Sequence, residues 1–269
     1  MKFRTVIYEK DEQVGIVRLN RPERMNAVNE AMYREIQEIL KEAESDNAVR
    51  VLIITGSVLK KGGVEKQAFC AGADLKEHAS GKRDSAQKRT YIELAHETTR
   101  LLYEFPKPVI AVINGPARGA GVETALNCDF IFMADTATLA FSETSLGTFV
   151  GGGVTGHLPA IIGIMKAKEL VYTGKVLDGK AAVAAGLALK SVHVEELFST
   201  AVAFARDLSE KAPLSLKLAK ERLQKARLLA NELVLQGETE AILSCMGTED
   251  WQEGIQAFME KRKPIYRGR

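Results

Sequence analysis

Cysteine and histidine are scarce in this sequence, and their positions argue against two classes of site. The 3 cysteines, Cys70, Cys128 and Cys245, are odd in number and widely spaced, which fits neither a disulfide framework nor a metal-ligand pattern. The 4 histidines are scattered, and neither C-x-x-C nor H-x-x-x-H occurs. We therefore expect no metal ion and a reducing compartment, with the cytoplasm as the predicted location.

Long apolar runs and an excess of one charge are also missing. No segment approaches the roughly 18 apolar residues that span a membrane, and the N-terminal segment lacks an apolar stretch of signal-peptide length. The 37 basic and 35 acidic residues are not segregated into blocks, which argues against nucleic-acid binding. We expect an ordinary globular protein with no membrane and no nucleic-acid partner.

Strand and helix patterns alternate along the first 200 residues. Short runs rich in β-branched or apolar residues stand at 14–19, 49–55, 69–73, 109–113 and 130–133. Amphipathic helix patterns lie between these runs, and Asn29 is placed to cap the first helix. This alternation predicts an α/β fold.

The last third of the chain carries helix patterns without strand runs. Two amphipathic helices are marked by apolar residues at helical spacing: Leu197, Ala201, Phe204 and Leu208 in the first, and Leu216, Leu223, Ala226, Ala230 and Leu233 in a longer second. Thr248 is a candidate N-cap for a final helix. We predict an α/β core over 1–200 and a helical region over 201–269, which packs on its own core or on a neighbouring subunit.

Two glutamates flanked by glycine-rich turns are the main candidates for chemistry. Glu123 closes the turn 115–123, Glu143 opens the turn 143–153, and a predicted strand lies between them. Carboxylates on both sides of one strand, next to backbone that can approach a ligand, suit paired acid–base catalysis. The alternative is that both are surface glutamates.

Two turns can present backbone N–H groups to a ligand. Residues 115–123 do not match G-x-G-x-x-G, so a dinucleotide site is disfavoured; the strand 109–113 instead leads through small residues into a helix start, where free N–H groups form an oxyanion site. The alternative is that these glycines permit close helix packing. Residues 71–73 form a similar turn, beside which Cys70 is interpreted as inert packing and Asp74 as a cap or a ligand contact.

An ordered set of motifs covers essentially the whole chain. The motifs are Leu19-Asn-Arg-Pro22, Met25-Asn-Ala27, Phe69-Cys-Ala-Gly-Ala-Asp-Leu75, Lys107-Pro-Val-Ile-Ala-Val-Ile-Asn-Gly115, Gly119-Ala-Gly-Val-Glu123, Cys128-Asp129, Glu143-x-x-Leu-Gly-Thr148, Tyr172-Thr-Gly-Lys-Val-Leu-Asp178, Ala185-Gly-Leu187 and Phe258-Met-Glu-Lys-Arg262. In this order and spacing the chain resembles the crotonase (enoyl-CoA hydratase/isomerase) superfamily. Among its members, the chain is most similar to hydratases with two catalytic glutamates.

The resemblance implies a fold, an assembly and a reaction. The fold is a spiral of ββα units with a C-terminal helical trimerisation region, assembled as a homotrimer or homohexamer. The reaction is hydration of a 2-enoyl-CoA, as in fatty-acid β-oxidation, with the thioester oxygen held by the N–H groups of Ala73 and Ala120. By resemblance, Glu123 activates the water and Glu143 protonates C2. No cofactor is implied, because coenzyme A is part of the substrate.

The resemblance also implies a coenzyme A site built from two parts of the chain. Its predicted residues are Arg24, Met25, Ala27, Ala71, Asp74, Leu75 and Lys76 from the core, with Phe258 and Lys261 from the tail reaching the CoA of a neighbouring subunit. For Lys261 the alternatives are a contact to a phosphate and a solvated charge.

Four features depart from the usual pattern of these hydratases. Val150 replaces a proline, Gly156-His157 replaces Gln-Arg, Pro116 and Arg118 fill a turn that is usually apolar, and the basic, flexible loop 58–66 is longer. These departures affect the prediction of which acyl group is bound more than the prediction of which reaction is catalysed. The alternatives are a Δ3,Δ2-enoyl-CoA isomerase or another acyl-CoA lyase of this fold, and a non-catalytic assembly or RNA-associated protein.

Overall fold

The computed structural model describes residues 3–79, 83–225 and 231–265. Its strands are β1 (Val6–Asp11), β2 (Val14–Leu19), β3 (Val51–Gly56), β4 (Leu59–Lys61), β5 (Val64–Lys66), β6 (Val109–Ile113), β7 (Ala117–Arg118), β8 (Phe130–Ala134), β9 (Thr138–Ala140), β10 (Leu177–Asp178) and β11 (Lys190–Val192). Its helices are α1 (Glu30–Ser45), α2 (Leu75–Ala79), α3 (Ser85–Tyr103), α4 (Ala120–Leu126), α5 (Val154–Ile162), α6 (Ile164–Thr173), α7 (Gly179–Ala184), α8 (Val194–Ser209), α9 (Pro213–Lys225), α10 (Asn231–Met246) and α11 (Glu249–Glu260).

A six-stranded sheet forms the centre of the fold and confirms the predicted α/β class. Its strand order is β1-β2-β3-β6-β8-β11, in which β1 is antiparallel to β2 and all other neighbours are parallel. Every residue of β3 and β6 is buried, as expected for parallel strands whose two faces are both covered. Helix α8 packs against β2, β3, β6 and β8, and α1 packs against α3.

A second, three-stranded sheet with the order β10-β9-β7 lies beside the first. The predicted strand at 69–73 is wrong, because this segment makes only isolated bridges, from Cys70 to Ala117 and from Ala73 to Val28. The backbone bends at Gly72, where φ is +95°, so the segment pairs with two different partners and continues along neither. The bend brings residues 70–73 next to the start of α4.

The predicted helix caps are confirmed at both ends of the chain. Asn29 Oδ1 accepts a 3.0 Å hydrogen bond from the N–H of Met32, and the Thr248 hydroxyl oxygen accepts one from Trp251 at 3.1 Å. Each side chain satisfies a backbone donor that the first turn of a helix leaves without a partner.

The helical tail begins earlier than residue 201, because α8 starts at Val194 and runs through that boundary. Leu216 and Leu223 lie in α9 and Leu233 lies in α10, whereas Ala226 and Ala230 of the predicted longer helix lie outside the described residues. Among the helices of the described ranges, none combines the length and the apolarity that crossing a bilayer requires.

The segment 58–66, predicted as a loop, instead contains an antiparallel hairpin of β4 and β5. The two strands join through Gly62 and Gly63, with φ values of +58° and +77°. Left-handed glycines at both central positions are typical of the tight turns that connect twisted strands.

Candidate active site

Two backbone turns meet at the centre of the site. The N–H of Arg118 donates a 2.9 Å hydrogen bond to the Cys70 carbonyl, which holds the turn at Gly72 against the turn at Gly119. A Cβ on Gly72 would lie 3.0 Å from the Arg118 carbonyl oxygen. Both glycines have positive φ, so the close approach and the backbone conformation together require glycine at these positions.

The turns present the N–H groups of Ala73 and Ala120, which are the predicted oxyanion donors. Ala120 is the first residue of α4, and both alanines line one cleft. Within the described residues, neither N–H donates a hydrogen bond to the protein, although the adjacent Asp74 N–H donates to the Val28 carbonyl. Two free N–H groups on the lining of one cleft are the kind of donors that an oxygen gaining negative charge requires, so the oxyanion site stays a prediction.

Glu123 lies on the first turn of α4 with one carboxyl oxygen fixed. Its Oε1 accepts a 2.8 Å hydrogen bond from the N–H of Gly151. Desolvation raises the pKa of Glu123 to about 7, the nearby charge of Glu238 acts in the same direction, and the Gly151 hydrogen bond opposes both. A carboxyl group with this pKa can accept a proton from water near neutral pH.

Glu143 precedes a short 3₁₀ turn, lies next to Gly119 and is 6% exposed. Its carboxyl oxygens make no hydrogen bond of standard geometry within the described residues, although the carboxyl group interacts with that of Glu123. Burial, followed by the charge of Glu123, raises its pKa well above the ordinary value. Two interacting carboxyl groups with raised pKa values do not readily ionise together, so the pair suits a reaction in which one carboxyl accepts a proton and the other donates one.

The C-terminal region contributes a carboxylate that the sequence reading missed. Glu238 of α10 is 2% exposed and accepts hydrogen bonds from Gly153 N–H at 2.9 Å and from the N–H and hydroxyl of Thr155 at 3.0 and 2.7 Å. These bonds hold the turn that supplies the Gly151 donor. The sequence does contain a pattern that indicates burial of this carboxylate, because Glu238 recurs at helical spacing with Ile242 and Met246. All three lie on the buried face of α10.

Side chains of α3, α10 and α11 form the remaining cleft wall. They are Tyr91, Ile92, Ala95 and His96 from α3, Ile242 and Met246 from α10, and Trp251 from α11. Tyr33 of α1 meets Tyr91 edge to face with a ring-centroid distance of 5.8 Å. The C-terminal helices of the chain therefore cover its own site.

The structure places the predicted coenzyme A residues in three groups. Ala71 and Leu75 line the cleft with Ala73. Arg24 and Lys76 are exposed, Met25 is half-buried and Ala27 is buried. Phe258 and Lys261, at the end of α11, are exposed and stand outside the cleft lining.

Asp74 has a structural partner at the oxyanion turn. Its Oδ2 accepts a 2.7 Å hydrogen bond from Nη2 of Arg21, and Nη1 of the same guanidinium donates to the Ala27 carbonyl at 2.6 Å. Burial alone would raise the pKa of Asp74, but the hydrogen bond and charge of Arg21 outweigh burial and lower it. This pair ties the turn 71–75 to the segment 21–27.

The structure shows the surroundings of three residues that differ from the usual hydratase pattern. The Arg118 guanidinium donates to the carbonyl and hydroxyl oxygens of Thr138, both at 2.9 Å. His157 is buried and stacks on Tyr103 with a ring-centroid distance of 4.5 Å. Val150 is 1% exposed and belongs to the core.

The described residues give little support to a cysteine nucleophile or to a metal site. Burial raises the pKa of the Cys70 thiol to about 12, which suits packing and not nucleophilic attack. The described part of the chain holds no cluster of three or more histidine, cysteine, aspartate or glutamate side chains arranged to bind a metal ion.

Comparison with known proteins identifies the family. A family model described as enoyl-CoA hydratase/isomerase matches residues 9–269. The short-chain-enoyl-CoA hydratase of Clostridium acetobutylicum is 33% identical over 263 residues, covering 98% of this chain and 97% of that protein. The crotonyl-CoA hydratase of Syntrophomonas wolfei is 36% identical over 264 residues, covering 98% of each.

A solved structure extends the likeness to three dimensions. The crystal structure of an enoyl-CoA hydratase from Bacillus anthracis superposes with a TM-score of 0.78 at 36% identity, covering 99% of this chain and 100% of that one. The matched sequence and fold span nearly the full length in each comparison. This chain belongs to the enoyl-CoA hydratase/isomerase family, the crotonase superfamily.

Proposed function

We propose that the protein is an enoyl-CoA hydratase that adds water reversibly across the C2=C3 bond of a 2-enoyl-CoA thioester. The observation that carries this proposal is that Glu123 and Glu143 line one cleft with Ala73 and Ala120, in surroundings that raise the pKa of both carboxyl groups. Hydration requires both a proton acceptor and a proton donor, and this pair supplies one of each.

The proposed reaction uses the two alanine N–H groups and both glutamates. The thioester oxygen accepts hydrogen bonds from the N–H groups of Ala73 and Ala120. Glu123 takes a proton from water while the hydroxyl forms a bond to C3, and the C2=C3 electrons move to the thioester oxygen as an enolate. Glu143 then gives its proton to C2, and the enolate collapses to the thioester. A proton passes from Glu123 to Glu143 to restore the starting state. Each donor to the enolate oxygen is worth about 10²–10³ in rate by comparison with other oxyanion sites.

Substrate binding and assembly follow the same proposal. Coenzyme A is bound by the predicted core residues, with Phe258 and Lys261 serving the substrate of a neighbouring subunit, and no other cofactor takes part. Exposed apolar side chains on α9, namely Leu214, Leu218 and Leu223, support a homotrimer or homohexamer built through the helical tail. The free thiols of Cys70, Cys128 and Cys245 support a reducing, cytoplasmic location, and the family match supports a role in fatty-acid metabolism.

The test is hydration of crotonyl-CoA followed by loss of the conjugated enoyl-thioester absorbance. We expect a loss that depends on the protein and yields 3-hydroxybutyryl-CoA. Binding of crotonyl-CoA without any loss of absorbance would contradict the hydratase proposal. Absorbance loss that survives both Glu123→Gln and Glu143→Gln would contradict the assigned mechanism.

A further inference from the structure

His96 lies in the cleft beyond the catalytic glutamates. A Cβ on Gly151 would stand 3.0 Å from His96 Nε2, 3.4 Å from Glu123 Oε2 and 3.4 Å from Cδ1 of Ile242. The three groups therefore surround one point next to the catalytic base. With the thioester oxygen at the alanine N–H groups and C3 at Glu123, the acyl carbons that follow C3 extend toward His96 and Ile242.

The other ring nitrogen of His96 is fixed by α10. Nδ1 lies 3.0 Å from the Thr239 hydroxyl oxygen, and that hydroxyl donates its proton to the Leu235 carbonyl at 3.0 Å. We therefore assign the imidazole proton to Nδ1, which leaves Nε2 as a hydrogen-bond acceptor. Burial lowers the pKa of His96 to about 4, so the ring is neutral at physiological pH.

The acceptor is buried and has no partner among the described residues. His96 is 8% exposed, and Nε2 makes no hydrogen bond within the described part of the chain. Its neighbours in the cleft wall include Ile92, Ala95 and Ile242. A buried acceptor without a donor is destabilising, and an unsubstituted alkyl chain in this part of the cleft would leave the acceptor unpaired.

We propose that His96 is a specificity-determining residue whose Nε2 accepts a hydrogen bond from a hydroxyl group on the acyl chain beyond C3. The inference rests on the proposed function, because it takes the direction of the acyl chain from the hydratase geometry. The preferred substrates are then hydroxylated 2-enoyl-CoA thioesters. A site built to pair with a substrate hydroxyl discriminates strongly against the analogue that lacks it.

The kinetic test compares substrates of equal chain length. The hydroxylated substrates are 4-hydroxycrotonyl-CoA and 5-hydroxy-2-pentenoyl-CoA, and the references are crotonyl-CoA and 2-pentenoyl-CoA. We expect kcat/KM of the wild-type protein to favour at least one hydroxylated substrate by about tenfold. His96→Leu should abolish or reverse that preference. Met246→Leu, a change in the same cleft without a change of polarity, should preserve it.

Two kinetic outcomes would overturn the inference. The first is a wild-type protein without any preference for the hydroxylated substrates. The second is a His96→Leu variant in which kcat falls equally for all four substrates while the preference is unchanged, since His96 would then act on the attacking water and not on the acyl chain. His96→Gln keeps a polar head group and replaces the leucine variant if the latter does not fold.

A binding test separates this inference from the proposed function. Saturated 4-hydroxybutyryl-CoA and butyryl-CoA need no turnover, and calorimetry with the wild-type protein should give a Kd about tenfold lower for the hydroxylated compound. Equal affinities would overturn the role of His96 even if crotonyl-CoA is hydrated. Preferential binding in a protein that hydrates none of the four enoyl substrates would support His96 and contradict the hydratase proposal.

Discussion

The backbone N–H of Gly151 donates a 2.8 Å hydrogen bond to Oε1 of Glu123, which leaves Oε2 as the oxygen that we propose accepts the proton. Replacement of Glu123 by Gln keeps the size of the side chain and removes the base. We expect Glu123→Gln to lower kcat for crotonyl-CoA by about 10²–10⁴, the usual contribution of a positioned general base. Glu195→Gln, at an exposed position, is the matched control and should leave kcat unchanged.

The pH dependence of activity should report both carboxyl groups. The reaction needs Glu123 ionised and Glu143 protonated, so kcat/KM should rise with pH through about 7, following the pKa of Glu123, and fall at higher pH as Glu143 loses its proton. A profile measured from pH 5 to 10 checks this expectation. A rate that is flat from pH 5 to 8 would contradict the role of Glu123 as the base.

The raised pKa of Glu143 should also appear as a pH-dependent stability. Between the ordinary pKa of a glutamate and the raised folded-state value, the folded protein binds more protons than the unfolded chain, so the free energy of unfolding falls as pH rises. Glu143→Gln removes this decrease in the free energy of unfolding, because glutamine does not titrate. The Tm of the variant relative to wild type should therefore increase from pH 5 to pH 8, as measured by calorimetry. A constant Tm difference would show that Glu143 ionises normally in the folded protein.

Two constraints favour glycine at position 119: its backbone conformation and its close approach to Glu143. A matched pair of variants separates the two. Its φ is +47°, and a Cβ would lie 3.2 Å from Glu143 Oε1. Gly119→Ala should strain the turn, shift the Ala120 N–H and lower kcat by about 10²–10³. Gly186→Ala carries a comparable conformational penalty, with φ of +78°, but its Cβ would meet nothing within 4 Å. The control should lose stability and keep kcat, whereas equal kcat for both variants would contradict the positioning role of Gly119.

Glu238 should influence catalysis without touching the substrate. Its charge contributes to the raised pKa of Glu123, so Glu238→Gln should move the acidic limb of the pH–rate profile to lower pH. The variant should also be less stable by about 1–3 kcal/mol, because a buried hydrogen-bond network loses an acceptor. Glu240→Gln changes a largely exposed glutamate of the same helix and should alter neither property. An unshifted acidic limb would restrict Glu238 to a purely structural role.

Local patterns along the chain predict much of the fold. The apolar runs that form β3 and β6, the Asn29 and Thr248 caps, and the helix after Gly119 all depend on residues close in sequence, and the structure contains each of them. The segment 69–73 was predicted wrongly because its apolar run resembles a strand, whereas its hydrogen bonds go to different partners around the bend at Gly72. Composition alone does not reveal such a bend.

The site was predictable only where its residues stand next to glycine-rich turns. Glu123 and Glu143 attract attention through the glycines beside them, and the structure brings both to one cleft with Ala73 and Ala120. Glu238 and His96 went unrecognised because their contacts cross 85 and 143 residues of chain. Each is a polar residue on a mostly apolar helix face. Its function cannot be inferred without knowing which part of the chain packs against that face.

The division of labour between the two glutamates has a direct test in exchange of the C2 protons of butyryl-CoA in D2O. Exchange requires the group that protonates C2 and needs no water at C3. We expect Glu123→Gln to lose hydration of crotonyl-CoA and to retain exchange, because removing the neighbouring charge favours ionisation of Glu143. Glu143→Gln should lose both activities. Exchange that persists in Glu143→Gln and disappears in Glu123→Gln would contradict the assignment of base and acid.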